Sequence, residues 1–227
     1  MKTEIHRIPL GLSNSYVIRE EGVILVDAGF PGKGEELQKR LQELSIAPRD
    51  VGLLLMTHGH WDHVGSAGEI KELTECEVAI NGREKDWVER GLKPLSPAIT
   101  PWGKIFGALV KMYTPLVRFP STSVDLVLDD KDYSLESYGI HGRVVHTPGH
   151  SSGSMSLLLE SGHAFVGCVA MNGLPYRLGP GMPCFGENIG DLRESWRLIV
   201  EGGAKWIYPA HGKPFEAEVL AELLQVA

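Results

Sequence analysis

The sequence has no long apolar run. Its most apolar stretch, residues 102–117, is interrupted by Lys104 and Lys111, so it is too short and too charged to cross a bilayer. The opening residues, Met1 to His6, are polar and do not resemble a secretory signal. These absences argue against a membrane-spanning or exported protein. They predict a cytoplasmic protein with no membrane partner.

Cysteine is also scarce. The three cysteines, Cys76, Cys168 and Cys184, cannot all pair with one another. Together with the absent signal, this number argues against a disulfide framework and favours a reducing compartment. We expect Cys76 to serve as a small buried hydrophobic residue.

Positive charge is in the minority. Lysine and arginine number 22 against 29 aspartates and glutamates, which gives a formal net charge of −7 with no block of like charges. Nucleic-acid binding needs a basic stripe that meets the phosphates, so nucleic acid is excluded as the main partner. The expected partner is a small-molecule substrate, and assembly as a homodimer is left open.

What the sequence does contain is enough apolar residues for a large core. Its 227 residues are 43% hydrophobic, which suits one globular domain over residues 1–227. Apolar runs typical of strands alternate with segments of helical spacing in both halves, which predicts an α/β fold. The predicted strands are 15–19, 23–26, 51–56, 77–80, 143–146, 155–159, 164–169 and 206–208, and the predicted helices are 35–44, the stretch after His63, 191–200 and 215–224.

Residues 91–124 differ from the rest of the chain because they carry five prolines around an apolar centre. Ile105, Leu109 and Met112 recur at i, i+4 and i+7, which predicts a short amphipathic helix. Two roles fit this helical insertion. It packs on the core, or it forms a lid that gives a binding site an apolar wall.

A dense group of potential metal ligands follows the apolar run 51–56. His58, His60, Asp62 and His63 lie within six residues, where a loop can aim several side chains at one point from a rigid base. Imidazole and carboxylate groups are ligands for zinc, with iron and manganese as competitors. The run therefore predicts a site for one or two metal ions, with zinc as the expected metal.

Two further histidines occupy similar positions. His150 and His211 each follow a predicted strand and a short segment that contains proline. Either histidine alone would be weak evidence. In a chain that already has a ligand cluster, we expect both to join the metal site.

Several of these segments resemble the signatures of the metallo-β-lactamase superfamily. Residues 57–65, THGHWDHVG, resemble its metal-binding motif, and residues 147–154, TPGHSSGS, resemble its second motif. Residues 209–212, PAHG, are similar to its last motif, and residues 26–29, VDAG, match its opening. The resemblance covers nearly the whole chain and points to the glyoxalase II and lactonase-like branch. It implies a four-layer αββα sandwich with the metals at one edge of the two sheets, here with a helical insertion near residues 91–124.

The resemblance also implies roles for individual residues. A first metal ion would be held by His58, His60 and His150, and a second by Asp62, His63 and His211. Asp27 would steady the histidine loop, because carboxylates that bond to ligand imidazoles fix their orientation. The alternative for Asp27 is an ordinary turn-forming aspartate.

Cys168 departs from the family pattern. Most hydrolases of the family place a metal-bridging aspartate after the strand that here reads Ala164 to Gly167. A carboxylate can span two metals with its two oxygens, whereas a thiolate offers one soft atom suited to a single zinc ion. Cys168 is a ligand of the second metal, or it points at the site without binding, or it marks an altered or oxidised site with little activity.

The implied reaction is hydrolysis of a carbonyl compound, an ester, thioester or lactone, by metal-bound hydroxide. Asp62 would be the catalytic residue that orients the nucleophile and moves a proton. Two alternatives remain: an iron-dependent redox member of the same superfamily, and a metal-binding protein with little activity because of Cys168. Candidate substrate contacts, which are otherwise residues of a solvated loop, are Asn172, Tyr176, Arg177 and Asn188.

Overall fold

The computed structural model describes residues 2–225. The predicted domain ends, residues 1 and 227, lie outside this range, and a single domain stays a prediction. The strands are β1 Glu4–Pro9, β2 Asn14–Arg19, β3 Val23–Val26, β4 Val51–Leu55, β5 Glu77–Asn81, β6 Leu126–Leu128, β7 Tyr133–Ser134, β8 Gly142–His146, β9 Met155–Leu159, β10 His163–Gly167, β11 Met171–Asn172, β12 Pro180–Gly181, β13 Trp206–Pro209 and β14 Phe215–Glu216. The helices are α1 Gly34–Glu43, α2 Trp61–Val64, α3 Ala67–Thr74, α4 Lys85–Glu89, α5 Pro101–Tyr113, α6 Ile189–Glu201 and α7 Glu218–Gln225.

Twelve of the strands form two six-stranded sheets. The first has the order β1-β2-β3-β4-β5-β6 and the second the order β14-β13-β10-β9-β8-β7. Within the first sheet, β3, β4, β5 and β6 are parallel to one another. Within the second, β10 and β13 are parallel, while β9 runs antiparallel to both β8 and β10.

Three apolar layers hold the two sheets and the helices together. Successive residues of a strand point to opposite faces, and Val17 accordingly packs towards α1 while its neighbour Ile18 packs between the sheets. The layer between α6, α7 and the second sheet contains Leu192, Trp196 and Ile199, three residues of the helix predicted over residues 191–200. The resulting order of helices, sheet, sheet and helices confirms the predicted αββα architecture.

The functional segments all follow strand ends on one edge of this sandwich. Asp27 follows β3, and Thr57 follows the adjacent parallel strand β4. Cys168 directly follows β10, and His211 lies just beyond its parallel neighbour β13. Because parallel strands present their carboxyl ends at the same edge of a sheet, these segments come together in space.

The insertion contains the predicted helix, but the apolar stripe of this helix does not pack on the core. Thr100 caps α5 by accepting a hydrogen bond from the Gly103 amide, and Pro101 occupies its first turn, a favourable start for a helix. The buried residues of α5 are glycines, whereas Ile105, Leu109 and Met112 are 62%, 56% and 72% exposed. The helical periodicity was predicted correctly, but the buried side of the helix carries glycines and not the apolar stripe.

The predicted ends of several elements differ from the observed ones by one or more residues. Residues 215–216 form β14, which pairs with β13, so the last helix begins only at Glu218. The strand predicted to reach residue 169 ends at Gly167, whose φ of +53° turns the chain towards the site, and β4 ends at Leu55 rather than at Met56. Across residues 2–225, none of the helices combines the length and the apolar character that a bilayer crossing requires.

Candidate metal centre

Hydrogen bonds fix the orientation of three buried imidazoles. The Nδ1 atoms of His150 and His211 lie 2.9 Å from the carbonyl oxygens of Phe185 and Leu12, respectively. A carbonyl oxygen only accepts hydrogen bonds, so each Nδ1 carries a proton and each Nε2 is left for a ligand. His63 follows the same rule, because its Nδ1 lies 2.9 Å from the Asp27 carboxylate.

His58 and His60 are oriented by hydroxyl groups. The Thr57 hydroxyl donates to Asp27 and therefore accepts from His58 Nδ1, 3.1 Å away. The Ser96 hydroxyl donates to the His150 carbonyl oxygen at 2.7 Å and lies 3.4 Å from His60 Nε2, from which it accepts. These bonds leave His58 Nε2 and His60 Nδ1 without protons, and both atoms point into the site.

Three nitrogen lone pairs therefore converge on one point. His60 Nδ1 lies 3.1 Å from His58 Nε2 and 3.0 Å from His150 Nε2. Burial and the nearby His63 lower the pKa of His58, and burial together with the nearby His150 lowers the pKa of His60 to about 3. Neutral imidazoles whose lone pairs face one another repel unless a cation lies between them. The donor set thus fits a metal ion of the zinc class.

A second group of ligand types lies beside the first. His63 Nε2 is 3.2 Å from Cys168 Sγ and 3.7 Å from Asp62 Oδ2, and His211 Nε2 is 3.4 Å from the same Asp62 oxygen. Burial alone would lower the pKa of His211. The combined effect of Cys168 and Asp62 outweighs burial and raises the pKa to about 9. A metal ion binding here would displace protons from these histidines, as metal ions do at protonated ligand groups.

Cys168 lies between the two groups. Its Sγ falls within 4.8 Å of ligand nitrogens of His58 and His150, and also within 4.8 Å of those of His63 and His211. The side chain is buried. Burial would raise the pKa of the thiol, but His63 and then His211 hold it well below its usual range. The sulfur is thus favoured as a thiolate, the form that binds metals.

Every residue predicted to bind a metal reaches this centre. The seven side chains, all in the described part of the chain, are His58, His60, Asp62, His63, His150, Cys168 and His211. Six of them are at least 90% buried, and the Asp62 side chain is 19% exposed. Asp62 is therefore the member of the group that is most accessible to a substrate.

The sequence analysis missed Glu84, a fully buried carboxylate that joins the two halves of the centre. Its Oε2 accepts from the Gly59 amide at 2.5 Å, and its Oε1 accepts from the Gly153 amide at 2.9 Å. Burial raises the pKa of this carboxyl group. Glu84 stands between two charged residues, Arg83 and Lys85, a context typical of a solvent-exposed turn, so no sequence signal marked it.

Comparison with known proteins agrees with this geometry. A model of the metallo-beta-lactamase superfamily matches residues 8–211, which is most of the chain. The chain belongs to the metallo-beta-lactamase superfamily. This assignment confirms the resemblance drawn from the motifs of the sequence.

Relatives of this superfamily member include the probable metallo-hydrolase MJ0888 of Methanocaldococcus jannaschii, 31% identical over 149 residues that cover 66% of this chain and 63% of MJ0888. The hydroxyacylglutathione hydrolase GloC of Haemophilus influenzae is 28% identical over 160 residues, covering 68% and 64% of the two chains. The chain thus spans slightly less than two thirds of the length of these relatives. The solved structure of TTHA1623 in a di-iron-bound form superposes with a TM-score of 0.66 at 20% identity, covering 95% of this chain and 96% of that one; at this identity the match shows the shared fold.

In this superfamily member, a cleft of about 650 Å³ opens above the candidate ligands. Of the four candidate substrate contacts, only Tyr176 lines it; its ring lies 4.0 Å from that of His211. The Asn188 side chain caps α6, Arg177 donates to the Met182 carbonyl oxygen, and Asn172 donates to that of Lys213. These three polar side chains support loop structure, which is the alternative that the sequence left open.

Proposed function

We propose that the protein is a metal-dependent hydrolase that attacks the carbonyl group of an ester, thioester or lactone. The observation that carries this proposal is that His58 Nε2 and His150 Nε2 lie 3.1 and 3.0 Å from His60 Nδ1, beside an open cleft that His60 and His150 line. Membership of a superfamily that includes probable metallo-hydrolases supports it.

The proposed ligands divide into two sets around Cys168. His58, His60 and His150 would hold one ion, and Asp62, His63 and His211 would hold a second, with the Cys168 thiolate in reach of both. Imidazole and thiolate ligands favour zinc, so zinc is the metal that we propose. The di-iron-bound form of TTHA1623 makes iron the main competitor, and manganese is a further one.

When bound, a zinc-class ion would supply a Lewis acid and lower the pKa of a coordinated water towards neutrality. The chain's own contribution centres on Asp62. Burial alone would raise the pKa of this carboxyl group. The combined effect of His63 and His211 is larger and lowers the pKa, so the group stays ionised. An ionised carboxylate that faces the cleft can accept a hydrogen bond from the attacking water and pass a proton to the leaving group.

The proposed partner is a small molecule, and a cytoplasmic setting is part of the proposal because it would keep the Cys168 thiol reduced. The relation to the hydroxyacylglutathione hydrolase GloC supports a thioester as one substrate class. Esters and lactones offer a carbonyl group of the same kind and remain in the proposal.

Metal analysis of protein purified without added metal, combined with a panel of esters, thioesters and lactones, tests the proposal. We expect the wild type to retain zinc and to hydrolyse at least one member, and we expect His58→Ala to lose bound metal and turnover together. The control is His6→Ala, which removes an imidazole of β1 that is not one of the proposed metal ligands and should keep both metal and turnover. Full activity of His58→Ala would refute the assignment, and iron as the retained metal would direct the tests to redox substrates.

A further inference from the structure

The walls of the cleft above the ligands are mainly apolar. Residues of α5 and of several neighbouring loops form them, and aromatic rings are prominent. Phe30 packs against Trp61 with ring centroids 4.9 Å apart, and Tyr113 lies 6.1 Å from Trp61. Phe106, which also lines the cleft, packs against Phe185 with ring centroids 6.0 Å apart. Apolar walls with few polar groups are typical of sites that orient a hydrophobic ligand.

Charged groups are few in this wall. Among the described residues that line the cleft, the only charged side chains outside the candidate ligands are Lys104 and Lys111, and both are exposed. The Ser96 hydroxyl is already bonded to the His150 carbonyl oxygen. The wall therefore offers little to bind a highly polar substrate along its length.

The size of the cleft also suits an extended acyl chain. From Phe106 to Tyr113, α5 contributes residues to the lining over two turns, a length of about 10 Å at the usual helical rise. This length is comparable to an extended octanoyl chain. The volume of about 650 Å³ falls within the range of small-molecule sites.

From this geometry we infer that the substrate class is a carbonyl compound with a neutral, medium-length acyl chain, which lies along α5 while its carbonyl group faces the histidine cluster. The inference rests on the proposed hydrolase function but goes beyond it, because it names the part of the substrate that determines selectivity. Leu109 is the key wall residue: it lines the cleft from the middle of α5 and is 56% exposed, so an acyl chain would cover an apolar surface that water now contacts.

A chain-length series tests the inference. Zinc-loaded protein is assayed with p-nitrophenyl esters of acetate, butyrate, hexanoate, octanoate and decanoate, each kept below its micelle concentration. Full burial of one methylene corresponds to about a fourfold gain in affinity, so we expect kcat/KM to rise about two- to fourfold per methylene up to octanoate. Turnover that is flat or falling with chain length would overturn the inference and leave the hydrolase proposal intact.

A matched pair of variants tests where the acyl chain of the substrate lies. Leu109→Gln and Met112→Gln make the same kind of change on exposed positions of α5, but only Leu109 lines the cleft. We expect Leu109→Gln to lower the octanoate-to-acetate ratio of kcat/KM about fivefold and Met112→Gln to leave that ratio unchanged. Equal ratios in both variants and the wild type would contradict the inference. Acetate turnover and the melting temperature report whether each variant folds.

Two further measurements separate the remaining outcomes. Calorimetric binding of butanamide, hexanamide, octanamide and decanamide, neutral analogues that lack an ester bond, should tighten with chain length even if no ester is turned over. In that case the hydrolase proposal fails and the acyl cleft stands. The double variant Lys104→Gln/Lys111→Gln should keep the chain-length dependence. Loss of that dependence in the double variant would contradict the placement of the acyl chain along the apolar wall, because none of these esters carries an anionic group for the two lysines to bind.

Discussion

The Nδ1 atom of His63 lies 2.9 Å from Oδ2 of Asp27, and both side chains are almost completely buried. The same carboxylate accepts from the Thr57 amide at 2.8 Å and from the Thr57 hydroxyl. Asp27 itself has a φ of 60°, a conformation that aspartate tolerates better than most residues do. One carboxylate thus orients His63 directly and His58 through Thr57.

Replacing Asp27 with asparagine tests this arrangement. The asparagine oxygen can still accept from Thr57, but its amide nitrogen cannot accept from His63 Nδ1. We expect the affinity of the Asp62, His63 and His211 set for zinc to fall about 10- to 100-fold, as measured by competition with a chromophoric chelator. Asp132→Asn, an exposed aspartate, is the control, and equal zinc affinities of the two variants would contradict the role of Asp27.

A second prediction concerns Glu84. The Glu84→Gln variant keeps one accepting oxygen but places an amide donor against either the Gly59 or the Gly153 amide. One buried amide loses its acceptor, so we expect the free energy of unfolding to fall by about 1–3 kcal/mol. Chemical denaturation measures the loss. The control is Glu72→Gln, at an exposed position of α3, whose free energy of unfolding should stay within about 0.5 kcal/mol of the wild type. An equally small change in Glu84→Gln would show that the two hydrogen bonds to Glu84 do not stabilise the fold.

The Gly167 turn gives a third prediction. Its φ is +53°, and a Cβ atom there would lie 2.4 Å from Thr57 Oγ1. Gly167→Ala combines backbone strain with overlap, and we expect it to destabilise the fold by about 3 kcal/mol. Gly32 also has a positive φ, +75°, but its Cβ would meet nothing within 4 Å. Gly32→Ala should therefore show the backbone cost alone, about 1 kcal/mol, and equal losses in thermal melts would argue against the overlap.

The thiol provides a spectroscopic prediction. If Cys168 Sγ binds the metal, cobalt-substituted protein should show a thiolate-to-cobalt charge-transfer absorption that Cys168→Asp removes while the variant still binds cobalt. Cys184→Ser, which changes a buried thiol outside the proposed ligand set, should keep the absorption. If the wild type lacks this charge-transfer absorption, the result favours a Cys168 thiol that points at the site without binding the metal. Higher ester turnover in Cys168→Asp would indicate that the sulfur limits the hydrolytic site.

Removal of metal should weaken the whole fold. The proposed ligands come from loops of both sheets, so an ion bound only by the native state stabilises their association. We expect chelator dialysis to lower the melting temperature by roughly 5 °C or more and zinc to restore it. Calorimetry of His58→Ala supplies the control, because one of its two ligand sets is broken and its melting temperature should therefore respond less to zinc. An unchanged wild-type melting temperature would count against tight metal binding.

The sequence was most informative where chemistry and periodicity coincide. The run from His58 to His63 and the strand-end positions of His150 and His211 were sufficient to predict that these side chains meet, because strand ends converge at one sheet edge. Helical spacing likewise predicted the helices that the structure shows as α1 and α6.

Other features depend on tertiary contacts that a local pattern does not encode. Glu84 looks like a surface residue until the loops around Gly59 and Gly153 surround it. The stripe of α5 has helical spacing, but that spacing alone does not say which side of the helix faces the core, and Gly103 and Gly107 make the close contacts with the loop at Cys184 and Phe185. Phe215 starts a strand because β13 pairs with it.

The distribution of the cluster along the chain has a consequence for biosynthesis. A ribosome makes His58 first and His211 on the order of 10 s later, and the three-nitrogen group needs His150 from the second sheet as well. The early histidine loop therefore emerges with its lone pairs unmatched while β10 and β13 are still missing. On the proposed ligand assignment, the complete set of ligands exists only once residues of the second sheet have been made, so the nascent first half would offer a metal ion only a partial set.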